Sequence, residues 1–311
     1  MAKSLTSIAA VERDTGLSKD TLRVWERRYG FPTPLRDGNG ERVYPRDQVE
    51  KLRVIRRLMD SGIRPSKIVA EPLSKLNAQL ASRLVADQQP PGECLAFEAV
   101  LRVLKAHQAT KLYQQLAHEL GRRGPKGFVL DIVAPLNTFI GAAWAAGRIE
   151  IFEEHLYTEQ VRILLRQSLG TLMPDARMPC VVLTTLPGEQ HELGILMAQA
   201  CLAVDGAHCI SLGVQTPIPD IVKAAHAHHA DVIGISCSEA MRINRVREGL
   251  ADLRMNLECE IEIWAGGSLW RRAKNAVPGV KPMVSLTDIP SALDAWREKR
   301  VFREHQGNPS G

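Results

Sequence analysis

Between residues 178 and 300 short apolar runs alternate five times with stretches of helical spacing, and this alternation constrains the fold more than any other feature. Runs at Cys180–Thr185, His208–Leu212, Asp231–Ser236, Glu260–Ala265 and Lys281–Val284 read as strands. Helical patterns follow them at Ile195–Val204, Ile218–His228, Asn244–Leu253, Leu269–Ala276 and Ile289–Lys299. The strands are apolar almost throughout, so both of their faces must be covered. Strands joined through helices run parallel. The spacing therefore predicts a doubly wound parallel sheet over 178–300, with a tail at 301–311.

In a flavodoxin-like strand order, 2-1-3-4-5, ligands settle over the carboxyl ends of strands 1, 3 and 4. The chemically loaded residues fall there. Glu189-x-His191-x-x-Gly194 follows the first strand, Ser236-Cys237-Ser238 the third, and Gly266-Gly267 the fourth. Small residues let a bulky ligand reach the backbone, and a loop imidazole can project at it. His226, His228 and His229 read instead as decoration of a helix end. These three loops resemble the cobalamin-binding domain shared by methionine synthase and the mutases. The resemblance makes His191 the lower axial ligand to cobalt and Glu189 the carboxylate that polarises its ring. It implies that Gly194 completes this cofactor-binding signature and that Ser236, Ser238, Gly266 and Gly267 accommodate the nucleotide tail. Two positions depart from the family pattern: Glu189 stands for Asp and Ser238 for Leu.

Charge separates the other end of the chain. Of 311 residues with net charge +5, the first 70 carry 15 Lys and Arg against 9 Asp and Glu, net +6, leaving the remaining 241 at −1. A basic segment on a near-neutral remainder reads as a polyanion-binding module. Ser7 can cap a helix with Ile8 and Val11 inward, Thr15-Gly16 a turn, and Ser18 a second helix, Lys19–Tyr29, with Leu22 and Trp25 inward. That is helix, tight turn, helix. Lys19, Arg23, Arg27 and Arg28 make the second helix basic, and a Gly-rich hairpin at 36–42 follows with arginines at both feet. The string from Thr21 to Gly30, with Arg36 and Gly40-x-Arg42-x-Tyr44, resembles the winged helix of the MerR family of transcription regulators. By that resemblance Thr21, Arg23, Arg27, Arg28, Arg36, Arg42 and Tyr44 contact operator DNA, Trp25 is core, and Glu26 orients neighbouring arginines. This module is expected over 1–75, and the Pro/Gly-rich break at 88–92 marks 76–92 as a linker. No sustained heptads follow, so oligomerisation is expected from downstream.

Between them, helical stretches at 93–106, 109–122, 126–146 and 152–172 predict a four-helix bundle over 93–173. Trp144 and, after nine intervening residues, Glu154-His155 stand where its last two helices meet. Spacing alone reads them as a packed Trp and a solvated acidic turn.

The order winged helix, bundle, cobalamin domain resembles the CarH-type and LitR-type photoreceptor repressors. That resemblance makes the bundle a cap on the upper corrin face, with Trp144 against the 5′-deoxyadenosyl group of adenosylcobalamin and Glu154 and His155 shaping the pocket. It implies a dark tetramer on operator DNA that light disperses, with no catalytic turnover. In the family pattern the residue after the Trp is a His that ligates cobalt after illumination; here it is Ala145, so either His155 or water would take that place. A light-independent cobalamin or tetrapyrrole sensor is the competing expectation. Other classes are excluded more simply. No apolar run approaches the ~20 residues of a membrane span, and Met1-Ala2-Lys3-Ser4 does not open a signal peptide. The six cysteines (94, 180, 201, 209, 237 and 259) form no Cys-x-x-Cys pair and read as reduced thiols of a cytoplasmic protein without structural zinc.

Overall fold

The computed structural model describes residues 5–60, 63–84, 91–172, 178–238, 241–272 and 277–306. The chain divides into two compact units: residues 1–96 with 141–150, and residues 97–140 with 151–311.

In the first unit, β1 (Leu5–Ser7) leads into α1 (Ile8–Thr15) and α2 (Lys19–Tyr29). Ser7 accepts from the Ala10 amide and Ser18 from the Thr21 amide, so both expected caps form. Gly16 at φ 66° and Gly30 at φ 69° end the helices in left-handed geometry, which a side chain would resist. The hairpin is β2 (Leu35–Arg36) and β3 (Arg42–Pro45), and β1, which the sequence pattern does not announce, pairs antiparallel to the other edge of β3. The helix α3 (Arg46–Asp60) closes the core with Val49, Leu52, Ile55 and Leu58 on one face, and Arg53 holds Asp14 of α1 through both carboxylate oxygens. Leu22, Trp25 and Tyr44 complete this core.

Helix occupies most of the span read as linker. α4 runs Leu73–Leu84 and α5 begins at Pro91, where proline suits a first helical position; residues 85–90 lie outside the described ones. The remaining expected helices are α6 (Ala109–Gly127), a π-helical turn at Phe128–Val133 running into α7 (Ala134–Ala145), and α8 (Ile151–Thr171). The break expected at Gly124-Pro125 is a kink at Gly124, φ 69° and ψ 173°. Contrary to the expectation from apolar run length, one continuous helical stretch, 109–144, is long and apolar enough to cross a membrane. Within it Leu112, Leu116, Phe128, Val129, Val133, Leu136 and Ile140 are buried, while Leu120, Leu130, Ile132 and Phe139 are half-buried.

The sheet is β4 (Cys180–Thr185), β5 (His208–Gly213), β6 (Val232–Ser236), β7 (Glu262–Gly266) and β8 (Val280–Met283). All pairs are parallel and the order is β5-β4-β6-β7-β8, the expected 2-1-3-4-5. The crossover helices are α9 (Leu193–Val204), α10 (Ile218–Ala227) and α11 (Ile243–Met255), with α12 (Ile289–Gln306) last. The fourth crossover differs: a 3-10 turn, Ser268–Arg272, replaces the start of the expected helix, and 273–276 lie outside the described residues. The tail expected from 301 is helical to Gln306. Cys180, Cys201, Cys209, Cys237 and Cys259 are free thiols, and burial pushes those of Cys201, Cys209 and Cys237 up to about 12, where they are inert.

Candidate functional site

The carboxyl end of β4 turns at Leu186 and presents Glu189 and His191 before α9 begins. Glu189 is 1% exposed, whereas the His191 side chain is 63% exposed. A carboxylate in that position needs donors, and four supply them. Oε1 accepts from the His191 amide at 3.0 Å and from His191 Nδ1 at 2.5 Å; Oε2 accepts from the Ser238 amide at 2.8 Å and its hydroxyl at 2.6 Å. Burial pushes the Glu189 carboxyl up, but the hydrogen bonds from His191 and Ser238 outweigh it and hold the group at about 2. An ionised Glu189 fixes the proton on Nδ1 and makes Nε2 the electron-pair donor of the ring, the arrangement of a metal-ligating histidine. Ser238, which stands where the family pattern has Leu, ties the β6 loop to this carboxylate.

Behind His191 lies a cavity of about 530 Å³. Gly194, Ser236, Ser238, Gly266 and Gly267 line it as expected, with Cys237 between them. At two of the glycines an added side chain would meet a close neighbour, whereas at Gly266 it would meet nothing nearer than 4.0 Å. A Cβ on Gly194 would stand 2.4 Å from Ser236 Oγ, and one on Gly267, at φ 133°, 1.9 Å from the Cys237 carbonyl oxygen. Three strand ends therefore converge at backbone distance around a largely apolar space of ligand size. The donor set fits a corrinoid, whose own ring holds the metal and asks the protein for one axial nitrogen.

Sequence reasoning missed the other wall. Leu130 in the π-helical turn and Ala134 and Asn137 on α7 line the same cavity, with Met197, Ala198 and Leu202 of α9. The only advance signal was a polar Asn137 inside the apolar run Ala134-Pro-Leu-Asn-Thr-Phe-Ile. Also unforeseen, Glu192 at the start of α9 is held by Arg162 and Arg166 of α8, so salt bridges flank the histidine loop. Glu154 and His155 are not among the residues lining the cavity. His155 is 73% exposed and pairs through Nδ1 with Glu154 at 2.7 Å, while Glu154 also accepts from Thr158. Trp144 is half-buried on α7 in the 141–150 segment grouped with the first unit, and the side chain of Ala145 lies outside the described residues.

In the first unit Arg23, Arg27 and Arg28 are exposed on one face of α2, together with Val24. Thr21 is half-buried and its hydroxyl meets Ser18 Oγ at 2.8 Å. Arg36 folds onto the Gly40 carbonyl at 2.6 Å, stiffening the hairpin, and Arg42 donates to Glu26 at 2.9 Å, so Glu26 does orient an arginine. Tyr44 departs from the expectation. It is fully buried in the core, where it supports the wing from beneath, and its hydroxyl finds no partner among the described residues.

Residues 6–70 match the MerR HTH family regulatory protein family, and residues 179–280 the B12 binding domain family. Over 234 residues, 74% of this chain and 75% of the relative, it is 30% identical to the HTH-type transcriptional repressor CarA of Myxococcus xanthus. The chain belongs to the CarA/CarH-type family of MerR regulators with a B12-binding domain. A second member, the HTH-type transcriptional repressor CarH of Myxococcus xanthus, is 29% identical over 274 residues, 87% of this chain and 91% of that one. Among solved structures the Methanosarcina barkeri monomethylamine corrinoid protein superposes with TM-score 0.50 at 14% identity, covering 63% of this chain and 96% of that one, and shows the fold. As a CarA/CarH-type protein this chain is a cobalamin-binding, DNA-binding transcriptional repressor.

Proposed function

We propose that this repressor binds adenosylcobalamin, with His191 as the axial ligand to cobalt, and that light ends its hold on DNA. The observation that carries the reading is the His191–Glu189–Ser238 arrangement at the mouth of a glycine-cradled cavity, in a chain that begins with a winged helix. Glu189 keeps the imidazole in the ligating tautomer, and Ser238 keeps Glu189 in place. Gly194 and Gly267 leave room for the nucleotide tail beside Ser236, Ser238 and Gly266. Trp144, Glu154 and His155 would respond to the upper group, His155 by leaving its exposed pairing with Glu154. When bound, adenosylcobalamin supplies a cobalt–carbon bond that light can break. A ligand shifts an assembly only by its differential affinity for two states, so removing the upper group must favour the dispersed one.

The exposed arginines of α2, with Arg36 and Arg42 of the hairpin, grip operator DNA. One winged helix covers a half-site with modest affinity, so tetramerisation supplies the rest through effective concentration. The protein acts in the cytoplasm and turns nothing over. Selecting DNA fragments from a random library with the dark, adenosylcobalamin-loaded chain gives the probe. Gel filtration and gel shift in darkness and after green light should then show a tetramer that binds DNA and a smaller form that binds at least tenfold more weakly. Equal mass and affinity in dark and light would sink the photoreceptor and leave a light-independent cobalamin sensor. A His191→Ala variant that still assembles on adenosylcobalamin would sink the axial assignment.

A further inference from the structure

The cavity wall contains a polar group for which axial ligation and the glycine cradle have no use. Asn137 lines it from α7, between Ala134 and the apolar residues of α9. Its carboxamide is held in one orientation. Tyr157 of α8, 1% exposed, donates from its hydroxyl to Asn137 Oδ1 at 2.6 Å. Burial, aided by the charge of Glu154, pushes the Tyr157 phenol far above its ordinary range, so it remains a proton donor at every physiological pH. The phenol donates to the oxygen end of the amide, and Nδ2 is the end left over. Nδ2 meets only the thioether of Met197, at 3.5 Å, among the described residues. Sulfur is a weak acceptor, and an amide donor in an apolar wall is costly to leave so poorly matched. A π-helical turn, Phe128–Val133, precedes α7 and also lines the cavity through Leu130; such turns recur at functional sites.

We propose that Asn137 is a specificity-determining contact for the bound corrinoid, donating from Nδ2 to an acceptor oxygen of that ligand, and that Tyr157 is the residue positioning it. The acceptor is a carboxamide oxygen of the ring or a phosphate oxygen of the tail. The inference rests on the reading that this cavity takes a corrinoid.

The test titrates the full chain with aquocobalamin and with diaquocobinamide, which lacks the nucleotide tail, following the visible spectrum. At pH 7.5, Asn137→Leu and the near-isosteric Asn137→Asp should each weaken cobalamin binding about tenfold, the weight of one well-made hydrogen bond. Tyr157→Phe should weaken it about threefold, since the amide can then rotate. Lowering the pH towards 5 should restore Asn137→Asp relative to wild type, because a protonated carboxyl donates again, and should leave Asn137→Leu unrestored. A purely structural role would lower the melting temperature of the ligand-free variants without that rescue. Loss with both ligands places the acceptor on the ring; loss with cobalamin alone places it on the tail. If wild type binds cobalamin and both Asn137 variants bind within twofold, this inference falls and the cavity assignment stands. If wild type binds neither ligand, both fall.

Discussion

Gly267→Ala is the most exacting perturbation of the site, because the structure gives both its geometry and its cost. The added Cβ would lie 1.9 Å from the Cys237 carbonyl oxygen and 3.0 Å from the Cys237 carbonyl carbon. An ordinary carbon–oxygen contact is about 3.3 Å, so the ends of β6 and β7 must part by more than ~1 Å. Neither atom belongs to a movable side chain. Separation strains the last rung between them, the Cys237 amide to the Gly266 carbonyl at 2.9 Å. A φ of 133° adds conformational strain for any L side chain. Overpacking costs about 1–3 kcal/mol, the backbone conformation about 1–3 kcal/mol, and the lost hydrogen bond about 1 kcal/mol. A destabilisation of about 3–7 kcal/mol follows, or roughly 6–28 °C for a unit of this size. The melting transition to follow is the one that added cobalamin raises. Gly38→Ala, in the exposed hairpin with no atom within 4 Å of the new Cβ, serves as control and should shift melting by less than ~2 °C. Should Gly267→Ala melt within ~2 °C of wild type and bind cobalamin normally, the close approach of β6 and β7 would be refuted.

Glu189→Gln keeps the size of the side chain but replaces an acceptor oxygen with a donor facing the four donors of His191 and Ser238. Cobalamin affinity should drop about 10–100-fold, as for other groups that orient a ligating histidine, and spectrophotometric titration reads the loss; an unchanged affinity would refute the role of the carboxylate. Tyr44→Phe removes a buried hydroxyl that has no partner among the described residues. It should stabilise the first unit by about 1 kcal/mol in chemical denaturation and leave DNA affinity within twofold, whereas a loss of DNA binding would restore Tyr44 to the interface.

The parallel sheet was legible because each strand advertises burial on both faces through local composition. The helix-turn-helix was legible because caps and Gly turns are set by neighbours in sequence, as Ser7, Ser18, Gly16 and Gly30 illustrate. The three site loops were legible for a related reason, since the topology of such a sheet dictates where its strands end. β1 escaped notice because a three-residue edge strand has no periodicity to read. The helix within 76–92 escaped notice because proline breaks a helix from within yet starts one well, and Pro91 starts α5. At 109–144 successive helical segments sum to a stretch apolar enough on average to cross a membrane, although no single apolar run displays it.

By itself the sequence determined the strand order, the winged helix and the histidine loop, since these follow from local patterns and from one topological rule. Only the tertiary structure decided what individual polar groups do there. Ser238 became the anchor of Glu189 across 49 residues of chain, Tyr44 went inside, and Asn137 acquired its orientation from Tyr157. The reason is physical: a hydrogen bond inside a protein depends on which segments the packing brings within 3 Å, and that is a property of the assembled layers and not of neighbours along the chain.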